Sequence, residues 1–202
     1  MRGRVDQPFE EIVRLCDWAN REDDIEALSR KTAGWRENDP PRPFVSLALV
    51  DDPKVQRQLA QSCSRQFSAV PDVKQKAGVG RGNGTIRLAY LSPDFRQHPV
   101  SILMADILAL HDRARFEVTA ISYGPDDGSQ LRRRIESEVD RFADVQQLSV
   151  RATSALIRDL DADIAIDLAG YTTLSRPEIL ASRPARLQIN YLGYLLRAEL
   201  DG

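Results

Sequence analysis

The stretch Ile86-Arg-Leu-Ala-Tyr-Leu-Ser-Pro-Asp-Phe-Arg-Gln-His98-Pro99 decides the fold of this chain. Its apolar run ends at Ser92-Pro93, and an acid, a base and a second proline follow before an amphipathic helical pattern begins. This order predicts a strand, a polar loop at the carboxyl end of the strand, and a helix. Ligands of open α/β sheets bind at the carboxyl ends of strands, so Asp94 and His98 lie where chemistry or ligand binding is most often found.

Short apolar runs and helical patterns alternate from this stretch to the end of the chain. Four runs are predicted to be strands: Ile86–Leu91, Phe116–Tyr123, Ile164–Leu168 and Leu187–Leu192. Helical spacing predicts helices between them, with apolar faces over Val100–Leu110, Leu131–Phe142, Ala152–Leu160 and Pro177–Ser182. The alternation implies an α/β fold with a Rossmann-like parallel sheet and right-handed crossovers. The nearly continuous apolar character of the strands fits a sheet that is covered on both faces.

A helical segment and a glycine-rich linker are predicted before the first strand. Residues 9–32 show helical spacing, and a helical pair follows residues 38–43, whose prolines cannot lie inside a helix. The glycines at 78, 80, 82 and 84 resemble a dinucleotide-binding loop, but such a loop follows a strand, whereas these glycines precede one. The predicted organisation is a helical leader segment over 1–75, a Gly-rich linker over 76–84 and the Rossmann-like lobe over 85–202.

The composition argues against several classes of protein. A net charge of −2 and a pI of about 5.8 argue against nucleic-acid binding, and Arg132-Arg133-Arg134 is most simply a solvated helix face. No apolar run approaches the ~20 residues that span a membrane, and the N-terminus lacks a signal-peptide core. Cys16 and Cys63 lie in helical patterns, which predicts buried thiols in a reducing, cytoplasmic setting. No metal is predicted, because the sequence contains no metal-binding motif.

Polar or flexible residues follow all four predicted strands. They are Asp94, Arg96 and His98 after the first, Asp126 and Asp127 after the second, Gly170, Tyr171, Thr172 and Arg176 after the third, and Gly193 and Tyr194 after the fourth. The carboxyl ends of parallel strands share one edge of the sheet, so these residues can converge on one ligand.

Each of these groups fits a structural role as well as a functional one. His98, which precedes a proline, fits a helix N-cap, while an imidazole also suits a base or a hydrogen-bonding role. Asp126-Asp127-Gly128 is an ordinary turn and cap signal. Gly170 fits either a helix cap or a close backbone approach to a ligand. Arg176, at a helix start, fits either an anion site or an ion pair with Glu178.

Six segments occur in order along the chain: Ser92–Pro99, Phe116–Val118, Ser122–Gly128, Asp167–Thr172, Arg183–Gln188 and Leu192–Tyr194. Together they resemble the catalytic region of the O-linked N-acetylglucosamine transferase and SPINDLY family. Phe44–Gln56 resembles the helical segment that precedes this region, so the resemblance covers about residues 44–194. Each segment is weak by itself, and their common order makes the resemblance specific.

The resemblance implies a two-lobed, inverting glycosyltransferase that needs no cofactor. Its donor substrate is a nucleotide-sugar, expected to be UDP-N-acetylglucosamine, and the sugar passes to a Ser or Thr hydroxyl of a protein. It places His98 near the acceptor and the sugar, and it makes Asp127 a candidate for acid/base work. The residues assigned to substrate binding are Asp94, Gly170, Tyr171, Thr172, Arg176, Leu192 and Gly193.

Two departures from the family pattern shape the expected function. Family members continue after Leu-Gly-Tyr with Pro-Gly-Thr and a second lobe, whereas this sequence reads Leu192-Gly-Tyr194-Leu-Leu and stops at Gly202. The tetratricopeptide repeats that usually precede the catalytic part are also missing from the sequence. The chain is therefore expected to be a truncated amino-terminal lobe that is inactive alone. Such a lobe is expected to expose a sheet edge or an apolar face. Its expected partner is the missing lobe or an oligomer partner. The alternative is a non-catalytic α/β binding or interaction module.

Overall fold

A five-stranded sheet forms the centre of the larger of two units into which the chain divides. The computed structural model describes residues 11, 13, 15–33, 43–48, 50–65, 67 and 84–193. The smaller unit, drawn mostly from residues 1–68, contains α1 (Arg21–Ala33), α2 (Pro43–Ser46) and α3 (Pro53–Arg65). The larger unit contains β1 (Ile86–Ser92), α4 (Pro99–Ala109), β2 (Phe116–Ser122), α5 (Gln130–Glu138), β3 (Arg141–Asp144), α6 (Val150–Asp159), β4 (Ile164–Asp167), α7 (Pro177–Ala181) and β5 (Leu187–Asn190).

All neighbouring strands of the sheet are parallel, and their order is β3-β2-β1-β4-β5. The register makes the strand ends level, because Ser92 of β1 lies beside Ser122 of β2 and Leu91 lies beside Asp167 of β4. The five loops that leave the strands therefore start from one edge. The predicted α/β fold with a parallel sheet is confirmed.

Helices cover both faces of this sheet. The helices α4 and α5 pack on one face through Met104 and Ile135. The helices α6 and α7 pack on the other face through Ile157 and Ile179. Successive side chains of β1 alternate between the two cores, which is why the strand is apolar without interruption.

The sheet has a switch point between β1 and β4. The chain leaves β1 toward α4, which lies on one face of the sheet. The helices α6 and α7, which precede and follow β4 in the sequence, lie on the other face. The loops that follow these two neighbouring strands therefore diverge and leave a crevice at the carboxyl edge. Open α/β sheets bind their ligands in this crevice.

The helical pattern concealed one strand. The helix α5 ends at Glu138, and Arg141–Asp144 forms the edge strand β3. The predicted helix face from Leu131 to Phe142 is therefore wrong beyond Glu138. Val139 and Phe142 pack against the same core as Leu131, so a helix and the strand after it imitate one continuous helical stripe.

The helix predicted over residues 9–32 is interrupted. Residues 11 and 13 are helical, residues 15–20 form turns and irregular backbone, and α1 begins at Arg21, so the prediction of one continuous helix is wrong. Cys16 adopts a positive φ of 51° and is exposed, contrary to the predicted burial. Cys63 in α3 is buried, as predicted.

Some features of the sequence stay as predictions or lie outside the described residues. The glycines at 78, 80 and 82 and Tyr194 are outside them, and the predicted boundaries at 75 and 84 are not tested. Among the described residues, none of the helices has the length and apolar character required to cross a membrane. The edge strand β5 exposes the side chains of Leu187 and Ile189, and the expected uncovered sheet edge stays a prediction.

Candidate functional site

His98 is the N-cap of α4 and stands at the carboxyl edge of β1. Its Nδ1 accepts the backbone N–H of Val100 at 3.3 Å, and Pro99 is the first residue of the helix, so the capping role is confirmed. Because Nδ1 accepts this hydrogen bond, the neutral ring carries its proton on Nε2. The side chain is one-third exposed (33%), so the Nε2–H group can donate to a ligand while Nδ1 caps the helix.

Asp94 lies buried in the same loop, close to the imidazole. Its Oδ1 accepts from Arg96 Nη2 at 2.9 Å, and its Oδ2 lies 3.7 Å from His98 Nδ1. The backbone of Asp94 is also fixed, because its N–H donates to Ser92 Oγ at 2.9 Å and its carbonyl accepts from Ser101 Oγ at 2.5 Å. Asp94 therefore holds the loop and provides the nearby counter-charge for a protonated His98.

Asp127 joins the β2–α5 loop to the β1–α4 loop. Its Oδ2 accepts the backbone N–H of Gln97 at 2.7 Å, and its Oδ1 accepts the N–H of Ser129 at 3.0 Å. These donors, Gln97 first, lower the pKa of Asp127 to about 2. Such a carboxylate is a weak proton acceptor near neutral pH. The acid/base role stays a prediction, and the geometry favours a role in holding the two loops together.

Arg132 is buried, so the predicted solvated face is wrong at this position, although the two arginines after it are exposed. Its Nη1 donates to the Phe95 carbonyl at 3.3 Å and to Ser122 Oγ at 3.1 Å, and its Nη2 donates to Asp144 Oδ2 at 2.8 Å. Its Nε lies 3.0 Å from a carboxylate oxygen of Asp126 and 3.0 Å from one of Glu136 in α5. The guanidinium thus connects the ends of β2 and β3 to the loop that carries His98.

Asp167, the last residue of β4, fixes the turn that follows the strand. Its carboxylate accepts from the N–H groups of Ala169 at 3.0 Å and Gly170 at 2.8 Å, and from Asn190 Nδ2 at 2.9 Å. Burial raises the pKa of Asp167, although these three donors act in the opposite direction. Gly170 adopts a positive φ of 58°, a conformation that glycine takes without strain.

The end of β5 packs directly on this turn. A Cβ at Gly193 would lie 2.4 Å from the carbonyl carbon of Ala169 and 2.5 Å from the nitrogen of Gly170, so only glycine fits there. Thr172 Oγ1 donates to the Ala169 carbonyl at 2.9 Å, and Leu192 has a φ of 63° and an exposed side chain. The structure therefore brings the predicted Gly170, Thr172, Leu192 and Gly193 into one cluster. Whether this cluster binds substrate stays a prediction.

Arg176 holds the loop after β3. Its guanidinium lies over the ring of Tyr123, 5.5 Å from the ring centroid. Its Nη1 and Nη2 donate at 2.9–3.4 Å to three carbonyl oxygens of that loop, those of Val145, Gln146 and Leu148. Within the described part of the chain the guanidinium forms no ion pair with Glu178. An anion-binding role for Arg176 stays a prediction.

Three residues of the site were not predicted from the sequence: Tyr123, Arg132 and Asp167. Burial, followed by the charge of Asp167, raises the pKa of Tyr123 well above its usual range, so the hydroxyl stays protonated. Tyr123 and Asp167 stand at the end of β2 and β4, and a polar side chain that closes a buried apolar strand is the signal that would have found them. Arg132 is one of three consecutive arginines, and nothing in the sequence distinguishes it from the other two.

The carboxyl edge therefore offers hydrogen-bond donors and one histidine beside a buried acid. The loop of Asp94 and His98 follows β1, and the predicted loop of Gly170, Tyr171 and Thr172 follows the neighbouring strand β4. The two loops therefore lie on the two sides of the switch point. Among the described residues there is no group of three or more His, Cys, Asp or Glu side chains that could hold a metal. The arrangement suits a polar ligand that is bound by hydrogen bonds across the crevice.

An open parallel sheet with polar loops at its switch point defines a Rossmann-like α/β domain. The sequence model of glycosyl transferase family 41 matches residues 58–198. The chain belongs to this family.

Individual relatives agree with the family match. The chain is 31% identical over 197 residues to the probable UDP-N-acetylglucosamine–peptide N-acetylglucosaminyltransferase SEC of Arabidopsis thaliana, a match that covers 89% of the chain and 20% of the relative. It is 38% identical over 110 residues to the UDP-N-acetylglucosamine–peptide N-acetylglucosaminyltransferase of Caenorhabditis elegans, a match that covers 54% of the chain and 10% of the relative. A mutant O-GlcNAc transferase of Thermobaculum terrenum superposes with a TM-score of 0.71 at 25% identity, covering 85% of the chain and 34% of that structure. The chain thus spans about a fifth or less of these curated relatives.

Proposed function

We propose that this chain forms one wall of the active-site cleft of a protein O-glycosyltransferase. The reaction moves N-acetylglucosamine from UDP-N-acetylglucosamine to a Ser or Thr hydroxyl of a protein. The observation that carries the proposal is the position of the Asp94–His98 loop and the Gly170–Thr172 turn on the two sides of the switch point. The names of the relatives, which specify this donor and a peptide acceptor, support it.

His98 supplies a hydrogen-bond donor in this proposal. With Nδ1 occupied by the N–H of Val100, the partly exposed ring keeps Nε2–H as its donor, and we propose that it donates to an oxygen of the sugar or the acceptor. Transfer makes the leaving diphosphate more negative, and donors that are already aligned stabilise that charge. A base role at Nε2 requires the proton to move to Nδ1, where Asp94 Oδ2, 3.7 Å away, is the nearby acceptor.

The turn after β4 supplies the second half of the proposed wall. Asp167 fixes the backbone of Gly170, and Gly193 allows the end of β5 to approach this backbone closely. The turn is proposed to shape the sugar and diphosphate side. Arg176 contributes by holding the neighbouring loop. The donor is a substrate, and no additional cofactor is proposed.

The cytoplasm is the proposed location. Among the described residues neither Cys16, which is exposed, nor Cys63, which is buried, forms a disulfide, which suits a reducing compartment. The proposed partner is a protein acceptor with an accessible Ser or Thr, and a further catalytic lobe or an oligomer partner would complete the cleft.

A transfer assay tests the proposal on the protein as the cell makes it, together with the further lobe or oligomer partner that completes the cleft. The protein is incubated with UDP-N-acetylglucosamine and a peptide that contains a single serine, and mass spectrometry detects the addition of one N-acetylhexosamine. His98→Asn keeps an N-cap but removes the Nε2–H donor, so the fold is preserved. We expect transfer to fall about 100-fold, as for the loss of one aligned donor at a developing charge.

His111→Asn is the matched control. His98 and His111 flank the two ends of α4, and His111 Nε2 lies 2.9 Å from the hydroxyl of Tyr90. We expect this variant to transfer sugar at the wild-type rate. Equal rates for His98→Asn and the wild type, or an unmodified peptide with a folded protein, would contradict the proposal.

A further inference from the structure

The β2–α5 segment holds the backbone of the β1–α4 loop at two points. Asp127 Oδ2 accepts the N–H of Gln97 at 2.7 Å, one residue before His98. Arg132 Nη1 donates to the carbonyl of Phe95 at 3.3 Å, three residues before His98. Both bonds end on backbone atoms, so they fix the path of the loop whatever side chains it carries.

Both holding groups are themselves fixed. The second oxygen of Asp127 accepts the N–H of Ser129, the N-cap of α5, at 3.0 Å. The Arg132 guanidinium is almost fully buried and donates to Ser122 at 3.1 Å and to Asp144 at 2.8 Å, at the ends of β2 and β3. These contacts fix the positions of Asp127 and Arg132 relative to the sheet. Through the two residues, the sheet also fixes the position of the loop before His98.

We propose that Asp127 and Arg132 are positioning residues, which set the orientation of the His98 imidazole by holding the backbone just before it. This proposal rests on the proposed function only in assuming that the oriented His98 imidazole donates a hydrogen bond to the substrate. It assigns to Asp127 an indirect role in place of proton transfer. It also gives the buried Arg132 a function beyond stabilising the fold.

The two histidines of the chain make a direct test feasible. With ¹⁵N-labelled histidine, two imidazole signal sets appear, one for His98 and one for His111, which lies at the far end of α4 and serves as an internal reference. The ¹⁵N shifts report which ring nitrogen carries the proton. We expect the neutral Nε2–H form of His98 in the wild type, because Nδ1 accepts the N–H of Val100.

Asp127→Ala removes the acceptor of the Gln97 N–H at an exposed position, so we expect the fold to be retained. We expect the His98 signals to shift and to report a mixture of both proton positions, while the His111 signals stay in place. Asp163→Ala is the matched control, since Asp163 Oδ2 also accepts a backbone N–H of a distant segment, that of Arg87 at 2.9 Å, at the amino edge of the sheet. This control is expected to leave His98 unchanged.

Conservative variants complete the test. Asp127→Asn keeps one side-chain oxygen acceptor and is expected to give His98 signals between those of the wild type and Asp127→Ala. Arg132→Lys keeps the charge but loses the planar donor pair, and it is expected to shift the His98 signals as well. Unchanged His98 signals in Asp127→Ala would overturn the proposal, as would equal shifts of both histidines in Asp127→Ala and Asp163→Ala. Because no donor substrate is present, these results are independent of the transfer assay.

Discussion

A methyl group at Gly124 tests how closely the loops after β1 and β2 pack. A Cβ at this position would lie 1.8 Å from the carbonyl oxygen of Pro93 and 2.6 Å from its carbonyl carbon. Contacts under 3.0 Å are essentially never seen, so one of two buried backbones must move by more than an ångström. We expect Gly124→Ala to lower the free energy of unfolding by about 3 kcal/mol, the upper part of the range for overpacked interiors. At about 4 °C for each kcal/mol, the melting temperature falls by about 12 °C.

Tyrosine absorbance follows this transition selectively. All five tyrosines lie after residue 89 and both tryptophans lie before residue 36, so tryptophan fluorescence reports on the smaller unit and is expected to stay unchanged. Gly128→Ala is the control, because Gly128 has a positive φ of 61° but open space around its Cβ position. It should cost about 1 kcal/mol of backbone strain and about 4 °C. Equal melting temperatures for the two variants would refute the packing argument.

Variants at three further positions test the other loops, each by the urea midpoint of tyrosine absorbance. Asp167→Ala leaves three buried donors without an acceptor and should cost about 3 kcal/mol. Burial raises the pKa of Asp167 in the folded state above 3.8, so the carboxyl stabilises the fold below that pH, and this contribution is lost as the pH rises through the folded-state pKa. The non-titrating variant Asp167→Asn should not show this fall in stability. Parallel pH profiles of stability for the wild type and Asp167→Asn would contradict the assignment. Gly193→Ala forces a Cβ to 2.4 Å from the Ala169 carbonyl carbon and should cost about 2 kcal/mol, so a neutral result would exclude the close approach. Arg176→Met loses three hydrogen bonds to carbonyls and should cost about 2 kcal/mol, with part of the loss recovered by Arg176→Lys.

The sequence predicted the main strands of the sheet because their environment is uniform. Both faces of β1 are buried, so its side chains are apolar without interruption and the run from Ile86 to Leu91 stands out. The strand β3 did not stand out, because it is a four-residue edge strand with an exposed residue at each end. Phe142 also continues the spacing of the preceding helix, and only the tertiary contacts separate the two elements.

The sequence located the site more readily than it assigned roles within it. Strand ends are visible as breaks in apolar runs, so Asp94, His98 and Gly170 were correctly placed at one edge. The roles of Asp127 and Arg132 depend on hydrogen bonds across 30 and 37 residues, which no local pattern encodes. For the same reason, the ordinary turn signal at Asp127 gave no indication of the loop that its carboxylate holds.

The proposed function requires that the crevice between the loops after β1 and β4 binds the donor sugar nucleotide. The most direct measurement is a titration of the ¹⁵N-labelled chain with UDP-N-acetylglucosamine, followed through its backbone amide signals. We expect shifts that cluster in residues 94–98, 169–172 and 191–193, with no change at the amino edge near Arg87 and Asp163. Saturable shifts at the amino edge, or no shifts at the carboxyl edge at saturating donor, would contradict it.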